Sequence, residues 1–480
     1  MFVGTGSDVG KSVINTAFCR IFLQDGYNPA PFKAQNMSLN SYATIEGLEI
    51  GRAQAVQAEA CGIQGSVDMN PVLLKPTGNL SSQVVLHGRP TGNESATEYF
   101  NETNREGLFL EAMKAYNRLK EKYSPIVIEG AGSISEVNLR DKDIANMRVA
   151  RQSGAATYLV ADIDKGGVFG SVFGTLELLP PEERDLIKGI IINKFRGDIR
   201  LFKKGRKMLE KLCKKPVVGL VPFYRDIYID QEDSVVIKSG TRAEGKINVA
   251  VVLLKHMSNF TDFEMIQHLP GVHLYYTEEP HQIQMSDMVI IPGTKNTIAD
   301  LIHIRDTGLA DSILKSHKEG KPVYGICGGY QMMGRDIKDP LHVEGNVEAV
   351  RGLDILPVST TLSAEKRTVQ CEFKFLDEHE ICHGYEIHMG ETLPEKYSPL
   401  TQIRGNGEGY YLNPLTWGTY VHGIFDNSTV VQHVLRQVDP DYTVKMDFRN
   451  FKEENYNKLA DLVREAVDMD YIYKSMGIYK

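Results

Sequence analysis

The segment Val3-Gly4-Thr5-Gly6-Ser7-Asp8-Val9-Gly10-Lys11-Ser12 constrains this chain more than any other stretch, because it joins a short apolar strand to the amphipathic run Val13 to Leu23 through glycines. A strand that turns through a glycine loop into a helix is the phosphate-cradling unit of parallel α/β sheets. The loop N–H groups and the helix N-terminus present positive partial charge, a lysine reaches the outer phosphates, and a hydroxyl can ligate Mg²⁺. Gly6, Ser7, Asp8, Val9, Gly10, Lys11 and Ser12 are therefore expected to hold a nucleoside triphosphate, with Ser12 also a metal ligand. The spacing departs from the usual pattern, whose first glycine would fall on Thr5, so the loop counted from Gly4 has one extra residue. The strand ahead of Gly4 has three residues, which fits either a short central strand or a chain lacking its natural first residues.

The rest of the first half repeats the alternation. Apolar runs at Ile126-Val127-Ile128, Thr157 to Val160, Gly189 to Ile192 and Pro216 to Val221 are separated by longer amphipathic stretches, which predicts a doubly wound parallel sheet with helices on both faces. Open sheets of this kind bind ligands at the carboxyl ends of their strands. Glu129, which ends the strand Ile126 to Ile128 and opens Glu129-Gly130-Ala131-Gly132-Ser133, is placed there to hold Mg²⁺. Asp162 and Asp164 follow another strand and are further metal candidates, although a carboxylate after a strand is more often a helix cap. Asn193, with Lys194, closes the strand Gly189 to Ile192 and is expected to face a nucleotide base.

The alternation stops after Val221 and resumes at Ile247 to Leu254, Met288 to Ile291 and Val323 to Ile326. Between lies an irregular stretch ending in Ser239-Gly240-Thr241-Arg242-Ala243-Glu244-Gly245, of the kind that joins domains. The expected division is a nucleotide-binding domain over 1–235, a linker over 236–246, a second flavodoxin-like domain over 247–440, and a helical extension over 441–480 that caps the second domain. In that domain Val323-Tyr324-Gly325-Ile326-Cys327-Gly328-Gly329-Tyr330 reads as strand, sharp turn and helix with a cysteine at the apex. Such an elbow exposes a nucleophile, the helix N-terminus favours its thiolate, and N–H groups after it can stabilise an oxyanion. A thiol nucleophile needs a base, and His422, in Thr419-Tyr420-Val421-His422-Gly423, follows a β-like run. Gly293, in Ile291-Pro292-Gly293-Thr294, ends a strand in a turn whose amides can supply a second oxyanion donor, although a plain turn is nearly as good a reading. The cluster Cys382, His383, Glu386 and His388 lacks the second ligand pair that a zinc site needs.

Composition narrows the classes. A chain of 480 residues exceeds one hydrophobic core. Its formal charge of −8, with Lys and Arg scattered, gives no electrostatic footprint for nucleic acid. Six cysteines without CxxC pairs read as reduced thiols, which suits the cytoplasm. No run approaches the ~18–20 apolar residues of a membrane helix, and Met1 to Ser12 lacks the charged and apolar regions of a signal peptide.

The Cys327 elbow with downstream His422 resembles the class I glutamine amidotransferases, and the loop Gly4 to Ser12 with Glu129-Gly130-Ala131-Gly132 resembles the ATP site of dethiobiotin synthetase. The cobyric acid synthase and cobyrinate diamide synthase group joins both in this order. The strings Pro31-Phe32-Lys33-Ala34-Gln35-Asn36-Met37-Ser38-Leu39-Asn40-Ser41, Gly51-Arg52-Ala53-Gln54-Ala55, Asn70-Pro71-Val72-Leu73-Leu74-Lys75-Pro76 and Gly384-Tyr385-Glu386-Ile387-His388-Met389-Gly390 look like its cobyric acid synthase branch, and the resemblance spans essentially the whole chain. It implies glutamine hydrolysis at Cys327, transfer of ammonia to the first domain, and ATP- and Mg²⁺-dependent amidation of four carboxylates (b, d, e, g) of adenosylcobyrinic acid a,c-diamide, with Lys33, Gln35, Asn36 and Gly293 as substrate contacts. One departure stands out: class I amidotransferases carry a Glu two residues after the histidine, where this chain has Ile424, so the group orienting His422 is absent or comes from elsewhere. Amidation of another carboxylate, a non-amidating ATPase switch and a corrinoid carrier with a decayed glutaminase half are the alternatives; the second leaves the Cys327 elbow without purpose, and the intact Cys327 and His422 oppose the third.

Overall fold

The computed structural model describes residues 1–76, 81–95, 102–230 and 240–478. The chain divides into two compact units: Met1–Met37, Ile50–Ile229 and Lys452–Lys480 form the first, and Ser38–Glu49 with Asp230–Phe451 form the second. Of the expected linker, residues 236–239 lie outside the described residues.

In the first unit the strands Phe2–Gly4, Thr157–Asp162, Ile187–Phe195 and Val217–Pro222 form a parallel sheet in that order. Ala30–Phe32 and Ile126–Ile128 pair in parallel, and Phe2 bridges Glu129, with the Gly130 N–H donating to the Phe2 carbonyl at 2.9 Å. The three-residue strand is thus hydrogen-bonded on both sides, and its shortness is offset by a central position in which Phe2 and Val3 are buried. The helix Lys11–Gln24 places Ile14, Phe18, Ile21 and Phe22 into a core with Tyr158, Val160 and Ile191. Apolar residues at this spacing form one stripe, and each contributes about 1.5–3 kcal/mol by leaving water.

From Lys452 onward the C-terminal helix Phe448–Ala466 belongs to this unit, although it was expected to cap the second, to which only its first turn belongs. Tyr456, Leu459, Ala460 and Val463 join the core that holds Phe18 and Phe22. Arg20 pairs with Glu453, Arg464 pairs with Asp25, and the Asp468 N–H donates to Val218. The charged periodicity over Asn457 to Val467 identified a helix but not its destination, because an apolar stripe does not specify which sheet it covers.

In the second unit a six-stranded sheet runs Val272–Thr277, Ile247–Val252, Met288–Ile291, Val323–Ile326, Thr416–Thr419 and Tyr410–Asn413, parallel except for the last pair. Val249 to Val252 and Val289 to Ile291 are fully buried, as strands covered on both faces must be. A second sheet carries the long antiparallel pair Val358–Phe375 and Ile381–Pro394, and Tyr385 and Glu386 of the latter pair with His422 and Val421. The excursion Ser38–Glu49 lies in this unit although the sequence around it belongs to the first; it reverses through a turn in which Leu48 O accepts from the Thr44 N–H at 2.7 Å.

Candidate active site

The phosphate loop is shaped by side chains from neighbouring strands. Gly10 has φ +93°, and a Cβ added there would run into the Asn193 amide, so glycine is required on two counts. Asn193 donates from Nδ2 to Val9 O at 2.9 Å and is buried, which makes it a brace beneath the loop. Lys194 Nζ donates to Asp8 O at 2.6 Å and to Asp162 Oδ2 at 2.9 Å, while Asp162 Oδ1 accepts the Asp164 N–H. Asp164 itself lies outward against Arg196.

Lys11 and Ser12 point into a polar network. Lys11 Nζ donates to the carbonyls of Gly6, Ser7 and Gly132 at 2.9, 3.0 and 2.8 Å. Ser12 Oγ donates to Glu129 Oε1 at 2.9 Å, and that carboxylate also accepts from Lys33 Nζ at 2.8 Å and Gln57 Nε2 at 2.5 Å. Burial alone would raise the Glu129 carboxyl, but Lys33, Gln57 and Ser12 outweigh it and hold the group below its ordinary value. Ser12 and Glu129 are hard oxygen donors in direct contact, the chemistry that suits Mg²⁺. Among the described residues no three His, Cys, Asp or Glu side chains gather into a metal cluster.

A cavity of about 680 Å³ lies beside this network, walled by Gln35, Met37 and Gly132 and by Arg105, Arg140 and Arg148. Lys33 and Asn36, expected as substrate contacts, turn inward: Lys33 pairs with Glu129, and Asn36 Nδ2 donates to Gln54. Gln35 is the member of that string that reaches the cavity wall.

Cys327 stands at the end of the strand Val323–Ile326 with φ +51° and ψ −109°, a conformation a non-glycine residue holds only under strain of about 1–3 kcal/mol. The following glycines are needed for space: a Cβ at Gly329 would meet the Ile291 carbonyl, and one at Gly328 would come within 3.1 Å of the Thr294 nitrogen. A Cβ at Gly293 would lie 3.1 Å from His422 Cε1 and 3.7 Å from Cys327 Cβ, which puts the Gly293 turn at the nucleophile.

His422 Nδ1 bonds Asp262 Oδ2 at 2.7 Å, and the Gly423 N–H donates to Asp262 Oδ1 at 2.9 Å. Both side chains are 1% exposed. Burial opposes a charge on His422, but Asp262 and then Cys327, its side-chain hydrogen-bond partner, push the imidazole up to about 10. Asp262 thus fills the orienting place that Ile424 cannot. It is 160 residues from His422 in sequence; the available signal was an acid enclosed between Phe260 and Phe263, both buried, since an enclosed carboxylate demands a partner.

The string Gly384 to Gly390 runs alongside this triad. The Tyr385 ring stacks on the His422 imidazole at 5.4 Å, and Cys327 Sγ lies 3.7 Å from Ile387 O.

Comparison with known proteins agrees with both halves. Residues 1–234 match the CobQ/CobB/MinD/ParA nucleotide binding domain, and residues 248–430 match the CobB/CobQ-like glutamine amidotransferase domain. The chain is 57% identical to the cobyric acid synthase of Parabacteroides distasonis over 99% of this chain and 98% of that protein. The chain belongs to the cobyric acid synthase family. Similarity extends to the Bacteroides fragilis member at 56% identity, covering 99% and 97% of the two chains, and to that of Caldanaerobacter subterraneus subsp. tengcongensis at 45%, covering 100% and 99%. Members of the cobyric acid synthase family are amidating ligases with a glutaminase half, and the first half of this one is an ATP-type nucleotide domain. No helix among the described residues is long and apolar enough to cross a membrane.

Proposed function

We propose that this protein uses ATP and glutamine to amidate, in turn, four side-chain carboxylates (b, d, e, g) of adenosylcobyrinic acid a,c-diamide. The observation that carries the reading is the Cys327–His422–Asp262 constellation in the same chain as a phosphate loop whose lysine is held by backbone carbonyls and whose serine faces the Glu129 carboxylate.

In the glutaminase half, the Cys327 thiolate attacks the side-chain carbonyl carbon of glutamine. The resulting oxyanion is met by backbone N–H groups at Gly328 and the Gly293 turn, and His422, held by Asp262, gives its proton to the leaving nitrogen. Ammonia departs, a thioester remains, and water, deprotonated by His422, releases glutamate. In the nucleotide half a substrate carboxylate oxygen attacks the γ-phosphorus of ATP and ADP leaves. Ammonia then displaces phosphate from the acyl phosphate, giving the amide. A bare carboxylate is a poor electrophile, so phosphorylation supplies the leaving group. Lys11 and the loop amides bind the phosphates. Ser12 and Glu129 would hold Mg²⁺, which would neutralise phosphate charge. The arginines of the 680 Å³ cavity offer planar, permanently charged forks for the acid groups of the substrate.

The test is to incubate purified protein with glutamine, ATP, Mg²⁺ and the a,c-diamide and to follow product mass. Four successive amidations are expected. Glutamine and ATP consumption without a change in corrinoid mass would keep the two half-reactions and reject this acid as substrate.

A further inference from the structure

The excursion Ser38–Glu49 enters the second unit next to the catalytic histidine, and the backbone of one residue on it is held through both its N–H and its carbonyl. The Ser41 N–H donates to Asn259 Oδ1 at 3.0 Å, and the Ser41 carbonyl accepts from the Tyr385 hydroxyl at 3.3 Å. Both partners act directly on the His–Asp pair. Asn259 begins the short turn Phe260–Phe263 that carries Asp262, and its own carbonyl accepts the Asp262 N–H at 3.1 Å. Tyr385 lays its ring against His422, and Tyr42 packs against the Tyr385 ring at 5.3 Å.

The rest of the excursion is anchored as firmly. Ala43 shares a buried cluster with Tyr385 and Ile387, Gln370 donates to the Ala43 carbonyl, and Lys366 pairs with Glu49, whose side chain is fully buried. At its other end the excursion grows out of Gln35 and Met37, which line the arginine-bearing cavity of the first unit. Ser38 is the next residue after Met37. The residues from Ser41 onward, bonded to the groups that aim Asp262 and His422, thus follow Gln35 and Met37 by only a few positions in the chain.

We infer that Ser38–Glu49 is a positioning arm of the glutaminase site, which sets the Asp262–His422 pair through Asn259 and Tyr385 and couples it to binding of the polycarboxylic acid substrate at Gln35 and Met37. The inference rests on the reading of Cys327 as a glutaminase nucleophile. Asn259 and Tyr385 are positioning residues, which act on glutamine hydrolysis through the geometry of Asp262 and His422. Asn259 has φ +53°, a conformation that glycine, asparagine and aspartate tolerate, so it can be replaced without strain.

The experiment measures glutamine hydrolysis by the full-length protein, and alkylation of Cys327 by a glutamine-analogue chloroketone, across pH, with and without the a,c-diamide plus ATP. Wild type is expected to hydrolyse glutamine about tenfold faster with the acid and ATP present, within the range of ordinary coupling. Asn259→Gly keeps the turn and removes the acceptor. It should lose that stimulation and about tenfold in kcat, with KM for glutamine little changed and the alkylation pH profile displaced. Asn259→Asp keeps an acceptor and should restore the stimulation. Tyr385→Phe keeps the ring on His422 and should lose part of the stimulation, guarding against a folding failure in the glycine variant. Wild-type stimulation and pH profile in both Asn259→Gly and Tyr385→Phe would overturn the inference. A wild-type protein that neither hydrolyses glutamine nor is alkylated would instead overturn the glutaminase reading beneath it.

Discussion

The two halves hold their reactive groups in opposite ways. In the second unit His422 already bonds Asp262 and meets Cys327, which sits on a strained elbow, and Asp262 favours the imidazolium although burial opposes it. In the first unit the groups that would meet phosphate are bonded to the protein itself: Lys11 to three carbonyls, Ser12 to Glu129, and Glu129 to Lys33 and Gln57. The difference follows from charge. The reacting amide of glutamine is uncharged, so the groups that attack it can be assembled in advance at the expense of backbone strain. A triphosphate and a metal bring several charges, and cationic and acidic side chains buried without partners would be costly. Each of them needs a protein partner that a ligand can replace.

The largest test of this contrast is a pair of substitutions. Cys327→Ala should lower glutamine-dependent amidation by at least about 10³-fold while ammonia-supported amidation persists, since the thiol serves the first half-reaction alone. Lys11→Ala should depress both routes by about 10²–10³-fold in kcat, measured as ATP-dependent product with either nitrogen source, because it removes a charge that the phosphoryl transfer requires. Ammonia-supported activity at the wild-type level in the Lys11 variant would erase the division of labour.

An intermediate effect is expected at Asp262→Asn, which keeps the shape and removes the charge. Glutamine hydrolysis should fall about 10²-fold. The pH signature is the sharper reading. His422 is raised in the folded state from 6.5 to about 10, so its contribution to stability is complete below about pH 6.5 and is lost as pH rises through about 10. The melting temperature of wild type should therefore fall more steeply between pH 7 and 10 than that of Asp262→Asn; parallel curves would show that the carboxylate does not hold the proton on His422.

The smallest effect tests the loop alone. Gly10→Ala places a side chain at φ +93° against Asn193 and should destabilise by about 1–3 kcal/mol in urea titration. Combining it with Asn193→Ala should recover the steric part but not the backbone part. Full additivity of the two substitutions would mean that Asn193 does not brace the loop.

Much of this was legible before any coordinates. The alternation of apolar runs implied two parallel sheets; Glu129 and Cys327 follow strands of such pairing, Lys11 and Ser12 open the helix after the loop, and His422 lies on an antiparallel strand of the second unit's other sheet. These signals are local: a turn that needs glycine and a strand buried on both faces write themselves into a few consecutive residues. The boundary was less legible, since the chain leaves the first unit after Met37, returns at Ile50 and comes back again at Lys452. Asn193 was expected to close its strand, but the strand runs on to Phe195, and the Asn193 side chain turns to the loop carbonyl of Val9.

What the sequence by itself determined is therefore the class of each half and the identity of the residues at each turn, because backbone sterics and burial act over a handful of neighbours. Tertiary structure alone decided that Asp262 orients His422, that the C-terminal helix covers the nucleotide sheet, and that Ser41 is held beside the glutaminase histidine. Each of those is a pairing across many residues, settled by which buried charge or apolar stripe finds its complement when the chain closes, and no short stretch of sequence carries that choice.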